Sequence, residues 1–291
     1  MATVDAAAVK KLREMTSAGI MDCKTALAQN DGDFEKATAW LREKLGSGAG
    51  KKADRATGEG AIGVHICEDG KRGALVEANC ETDFVARNDN FRALIKQIAE
   101  VAAHHGTSDV AALNALALKN GKSVEDQVKE SIGTLGENIV LARVTPLETS
   151  GVLASYVHTD GKQAAIVEIA AASISDAEAL KTAARDVAMQ AVALKAPYLS
   201  REEVPASVIE SEKEIYRNQA SEEGKPEAML DKIADGRLNK FYSQETLLEQ
   251  AFVKDSTGKQ SVAQYVQSVA KTAGDDVNVA RVVRYKVGEA A

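Results

Sequence analysis

The side chains able to do chemistry in this 291-residue sequence are few and scattered. Its histidines are His65, His104, His105 and His158, and its cysteines are Cys23, Cys67 and Cys80. His104 and His105 are adjacent, so on a helix they point about 100° apart and cannot chelate one ion as an i, i+4 pair does. They stand just before Gly106, where a helix is expected to end and an imidazole suits the negative end of its dipole. His65 and His158 fall in strand-like segments and read as satisfied sheet residues, with His158 exposed beside the Asp160-Gly161 turn. Cys80 has no histidine near it in sequence to activate it, and no cysteine pair has CxxC spacing. No G-x-x-x-x-G-K-[ST] loop is present, and no G-x-G-x-x-G turn follows a strand. The reading is therefore not an enzyme, with no catalytic residue, no metal site and no cofactor. What remains is a binding protein, whose contact points are apolar or aromatic residues that their own element does not require.

Two stretches contain such residues. In "EANCETDFVARNDN", residues 77–90, a strand-like run ends at Cys80 and a periodic helix begins after Asn88 or Asp89, either of which can cap it. Phe84 lies between them, outside the helix stripe of Phe91, Leu94, Ile95, Ile98 and Ala102. It is either a plug tucked under the loop, with Asp83 capping a turn, or a presented aromatic anchor of the kind that dominates interfaces. In "SAGIMDCKTAL", Ile20 and Met21 follow a glycine and precede Asp22, which can serve as an N-cap. They are either a hydrophobic staple or a soft apolar contact at a helix tip.

Composition narrows the partner. The formal net charge is −7 and the isoelectric point about 5.3, which argues against nucleic acid, since phosphate binding needs clustered Lys and Arg. The first residues lack the basic, apolar and small-residue zones of a signal peptide, and no apolar run approaches ~18 residues. The expectation is a reduced, cytoplasmic protein with no membrane span.

The elements that position these residues follow from periodicity and turn chemistry. Residues 1–45 carry three short helices: one with Val4, Val9, Leu12 and Met15 on its stripe behind Thr3, one behind Asp22, and one behind Asp33 with Phe34, Ala37, Thr38 and Leu41. Residues 46–59, rich in Gly, Ala and Lys, form a linker. Beyond it, "GAIGVHICEDGKRGALVEANC" from Gly60 and "GVLASYVHTDGKQAAIVEIAA" from Gly151 repeat at a constant offset of 91. Each copy is expected to be a β-hairpin closed by Asp-Gly and followed by a helix. This gives a core N-subdomain over 60–146, with a helix around Val124 and Val128, and a core C-subdomain over 147–291. An antiparallel helical hairpin is inserted at about 200–245, with Ile209, Ile215 and Tyr216 facing Leu230, Ile233, Leu238 and Phe241 across a Gly224-Lys225-Pro226 break. "VNVARVVRYKV" is a strand that completes the second sheet. The fold class is α+β.

"TSAGIMDCKTAL", "EANCETDFVARN", "GENIVLARV" and the closing "RYKVGE" resemble, in order and over nearly the whole chain, the elongation factor Ts family. The resemblance implies a UBA-like three-helix module, a duplicated core and a dimerisation or coiled-coil hairpin. It implies a guanine-nucleotide exchange factor for the GTPase elongation factor Tu. In that reading Thr82, Asp83, Phe84 and Val85 bind the partner, with Asp83 and Phe84 as the wedge that disturbs its Mg²⁺ and GDP site. Ile20 and Met21 would contact the same partner domain, and His158 another. A homodimer or 2:2 complex through the hairpin is compatible with it. Where the family usually has Met-Met before Asp-Cys, this chain has Ile20-Met21, and the C-terminal helical module of some members is not expected after "VGE".

Overall fold

The computed structural model describes residues 4–16, 18–46, 52–171, 173–273 and 276–289. Thr3, the expected first cap, and much of the expected linker lie outside these. Two compact units are present: one of residues 1–148, 159–163 and 285–291, the other of residues 149–158 and 164–284.

The first unit begins with helices α1 (Ala6–Thr16), α2 (Ile20–Gln29) and α3 (Phe34–Gly46). They close over Val9, Leu12, Ala18, Cys23, Ala26, Leu27, Ala37 and Leu41. Asp33 caps α3, its carboxylate accepting from the amides of Glu35 and Lys36 at 3.0 and 3.1 Å. Two expectations change here. Gly19, not Asp22, holds the N-cap place of α2; Asp22 lies inside the first turn and accepts from Lys44 at 3.4 Å. Met15 leaves the stripe of α1 and is 61% exposed, because the buried face runs through Val9 and Leu12 towards Thr16 instead.

Strands β1 (Glu59–Ile66) and β2 (Arg72–Cys80) form the first expected hairpin, paired antiparallel from Glu59–Cys80 to Ile66–Gly73. A single-turn helix α4 (Asp83–Ala86) follows, then α5 (Asp89–His105), α6 (Val110–Ala115) and α7 (Val124–Leu135). Strand β3 (Ile139–Glu148) returns antiparallel to β2, so the sheet order is β1-β2-β3. Helix α5 buries Phe91, Leu94, Ile95, Ile98 and Ala102 against this sheet and ends at Gly106 in the left-handed conformation, as the sequence requires.

The second unit repeats the plan. Strands β4 (Val152–Val157) and β5 (Gln163–Ala171) form the second hairpin, and α8 (Ala177–Ala193) buries Leu180, Ala184, Val187 and Val192. Helices α9 (Ala206–Glu222) and α10 (Leu230–Glu245) pair through Ala220, Leu230, Ala234 and Leu238, with Lys213–Asp235 and Arg217–Asp231 ion pairs across them. Ile215, expected on this seam, is 43% exposed. After α11 (Val262–Ala273), β6 (Val277–Lys286) joins β5, giving the order β4-β5-β6.

The repeated Gly60 and Gly151 have one physical reason in common. A Cβ at Gly60 would strike the carbonyl oxygen of Ala78, and one at Gly151 that of Ile169, at the same offset of 91. The repeat also extends to a third strand: Ala142-Arg143-Val144 on β3 matches Ala280-Arg281-Val282 on β6, with Arg143 on Glu77 at 2.7 Å and Arg281 on Glu168 at 3.0 Å. No helix among the described residues is long and apolar enough to cross a membrane.

Candidate protein-contact site

Phe84 is 83% exposed, the most exposed large apolar side chain among the described residues. Its neighbours hold it there. Thr82, with extended backbone, is the N-cap of α4; its hydroxyl accepts from the amide of Val85 at 3.4 Å, so Thr82 and not Asp83 does the capping. Val85 and Ala86 turn inward and are buried in the first core, while Asp83 pairs with Arg87 one turn on at 3.1 Å. Asn88 caps α5 immediately afterwards, accepting from Asn90 and Phe91 at 2.9 and 3.3 Å. The plug reading of Phe84 is therefore overturned. Two of the four residues of α4 are spent on anchoring, and the ring of Phe84 lies on the other face of the turn.

The backbone before α4 is fastened from far along the chain. The Glu137 carboxylate accepts from the amides of Glu81 and Thr82 at 3.1 and 2.9 Å and from the Thr82 hydroxyl. Glu81 in turn accepts from the amide of Asn138 at 2.7 Å and pairs with Arg55 at 3.4 Å. Asn138 donates to the carbonyls of Ala53 and Arg55 at 3.1 and 2.9 Å, so the described end of the linker is tied into the same knot. Cys80 is fully buried; burial first, then the Glu137 carboxylate, pushes its thiol up to about 12. It is a structural thiol, not a nucleophile. Reasoning along the sequence missed Glu137, Asn138 and Arg55, and only the strong capping character of Thr82 hinted at a fixed turn.

Ile20 and Met21 form the first turn of α2 and are 54% and 69% exposed, which excludes the staple and leaves an apolar helix tip. An open groove of about 720 Å³ is lined by Lys10, Arg13, Gly19, Phe84, Asn88 and Leu135, among others. Phe84 and the start of α2 thus border one surface. His158, just past β4 in the second unit, is half-buried and not exposed as expected; its Nδ1 lies 3.4 Å from the Tyr156 hydroxyl. The arrangement at Phe84 offers an exposed aromatic on a pinned turn, beside the Asp83–Arg87 ion pair. One set of metal-ligand side chains does assemble away from it among the described residues, His65, Cys67 and His104.

The family model described as "Elongation factor TS" matches residues 81–289. The elongation factor Ts of Prosthecochloris aestuarii is 43% identical over 99% of this chain and 100% of its own length. The chain belongs to the elongation factor Ts family. The factor of Nautilia profundicola is 41% identical over 99% of this chain and 94% of its own, and that of Aquifex aeolicus 42% over 96% of each. The match begins at Glu81, so the junction bearing Phe84 falls inside the matched residues.

Proposed function

We propose that this chain is the guanine-nucleotide exchange factor of the GTPase elongation factor Tu in translation elongation. It would work by loosening the partner's Mg²⁺ and GDP. The observation that carries the mechanism is Phe84, an exposed aromatic on a turn whose backbone is held by Thr82 and Glu137. A rigid anchor loses little conformational entropy on insertion, so more of its binding energy is available to shift the partner. GDP in such a GTPase is held by backbone donors around its phosphates and by Mg²⁺. Asp83 and Phe84, inserted between helices that frame that site, would displace the groups that hold the metal. Thr82 and Val85 complete the contact and also support it, since one caps the turn and the other packs beneath it. Ile20 and Met21 add apolar area on the partner, and His158 serves a second partner surface.

The factor binds the nucleotide-free partner best. Coupling between factor and nucleotide is therefore negative and reciprocal, and incoming nucleotide expels the factor in turn. No covalent step is needed, and the ambient ratio of GTP to GDP sets the product. The working divisions are taken as a UBA-like module over 1–45, a linker over 46–59, and subdomains over 60–146 and 147–291. The paired helices at about 200–245 are the assembly element, a role supported by Ile215 on α9 and Met229 just before α10, 43% and 48% exposed.

The test is release of a fluorescent GDP from elongation factor Tu, with and without saturating chain. Acceleration supports the reading; an unchanged release rate ends it.

A further inference from the structure

His65 lies on β1 and Cys67 just past its end, where the Cys67 amide still donates to the Arg72 carbonyl at 2.8 Å, so the two side chains, two residues apart, leave the same face of the chain. That face looks towards α5, whose last turn carries His104. The ligand atoms of the three side chains all lie within 4.8 Å of one another, and the two imidazole rings are 5.9 Å apart, tilted by 43°. Among the described residues, none of the three side chains makes a hydrogen bond, although Cys67 is buried and His65 half-buried.

We propose that His65, Cys67 and His104 form a binding site for a borderline transition-metal dication of the zinc class. Two imidazole nitrogens and one thiolate would hold it, with the fourth position open to water. The donor set selects the metal: nitrogen and sulfur suit Zn²⁺ or Co²⁺, whereas Mg²⁺ and Ca²⁺ need oxygen. Size agrees as well. In a tetrahedral site with bonds of about 2.0–2.3 Å the ligands stand roughly 3.3–3.7 Å apart, so the cluster closes by about 1 Å on the ion. His104, exposed at a helix end, is free to make that movement. Glu100 lies one turn before His104 and close enough for its charge to act on both imidazoles. It is held 2.7 Å from Lys119, an ion pair whose lysine is 79% exposed and readily released. Its negative charge and that of the thiolate offset the dication. Binding forms a metal–sulfur bond and releases the thiol proton to solvent.

The adjacency of His104 and His105 gave no ion site on one helix, and the ligand set arises only when strand and helix pack. At an offset of 91 the second copy has Tyr156 and His158 in the places of His65 and Cys67, and these two satisfy each other at 3.4 Å. The cluster is therefore a feature of the first copy alone. A bound ion would clamp the tip of the β1–β2 hairpin to the C-terminal end of α5.

The experiment is titration of the full chain, alone, with Co²⁺. The expected result is a near-ultraviolet thiolate-to-cobalt charge-transfer band that saturates at one ion per chain, is abolished by Zn²⁺ and is untouched by Mg²⁺. Cys67→Ser should remove the band, and His104→Ala should weaken binding by at least about tenfold, the scale of losing even an outer-shell partner. His104 is exposed, so its variant folds, and circular dichroism checks both. Absence of the band at cobalt well above the protein concentration overturns the proposal. So does a band that survives Cys67→Ser, which would assign it to Cys23 or Cys80. Because no GTPase is present, the outcome is independent of the exchange reading.

Discussion

After β2 the chain takes eight residues, 81–88, to reach α5; after β5 it takes five, 172–176, to reach α8. The scaffold on either side is the same hairpin and helix. In the shorter junction the apolar residue, Ile174, packs on the core of its own unit, and Asp176 caps α8 at once through the amide of Ala179 at 3.0 Å. In the longer one the extra residues make α4, which buries Val85 and Ala86 and leaves Phe84 outside. A junction that only has to connect needs one cap. The first has two, Thr82 and Asn88, and a distant carboxylate holding the chain before them. The difference separates what duplication supplies, a rigid frame, from what one copy adds, a presented side chain.

The largest expected effect tests whether the two frames are equivalent. Glu77 is buried and takes Arg143 at 2.7 Å and the amide of Gly288 at 2.8 Å, and Arg143 also covers the Tyr285 ring at 4.0 Å. Arg143→Met leaves a buried carboxylate without its cation and should cost about 3–5 kcal/mol. Arg281→Met removes the matching cation from Glu168, but the Arg281 side chain is 42% exposed and solvent screens the pair, so about 1 kcal/mol is expected. Urea denaturation of both variants measures this. Equal losses would mean that the frames are energetically alike and that the burial of Glu77 carries no extra stability.

Next comes the junction itself. Phe84→Ala should slow catalysed GDP release about thirtyfold, the kinetic equivalent of about 2 kcal/mol for an interface anchor. Its own stability should move by less than about 0.5 kcal/mol, as for other exposed sites. Ile174→Ala in the second copy should behave the opposite way, with a lower melting temperature and ordinary exchange at saturation. If Phe84→Ala melted early and exchanged normally, the contrast between the junctions would collapse.

Much of this frame could be read along the chain, and the reasons are local. The Asp69-Gly70 and Asp160-Gly161 turns, the alternation in β1 and the 3.6-residue stripe of α5 are short-range signals. The third strand was harder, although "ARV" occurs in both copies. Arg143 and Arg281 are 138 residues apart, not 91, because the second copy carries 47 more residues before its last strand, most of them in α9 and α10. Phe84 was undecidable from its neighbours, since a lone aromatic in a junction is compatible with either side of the chain. What decides it is Glu137, 55 residues beyond Thr82, and no local pattern names such a partner. Met15 and Ile215 erred for a related reason: on narrow stripes a rotation of one residue moves a side chain from seam to solvent.

Glu137→Gln tests that distant fastening. The amide keeps the shape but loses the charge, and charged acceptors outweigh neutral ones by about 1 kcal/mol per site. Exchange should fall about fivefold with Phe84 still in place. Amide hydrogen exchange should quicken at Val85–Arg87 and stay unchanged across β1 and β2. Uniform quickening across the sheet would instead make Glu137 a general stabiliser of the unit.

The smallest expected effect concerns the apolar tip of α2. Met21 is 69% exposed and, unlike Phe84, follows no side-chain N-cap, and a thioether on three rotatable bonds adapts to whatever it meets. A flexible contact loses part of its gain to ordering, and most interface residues cost under about 1 kcal/mol when truncated. Met21→Ala should therefore slow exchange only two- to fivefold, roughly what about 0.5–1 kcal/mol allows, and should do so through weaker binding of the partner. Catalysed release at saturating factor would remain close to that of the unmodified chain, whereas Phe84→Ala would stay slow at saturation. A saturating defect in Met21→Ala as deep as that of Phe84→Ala would mean that a pinned backbone is not what distinguishes the wedge.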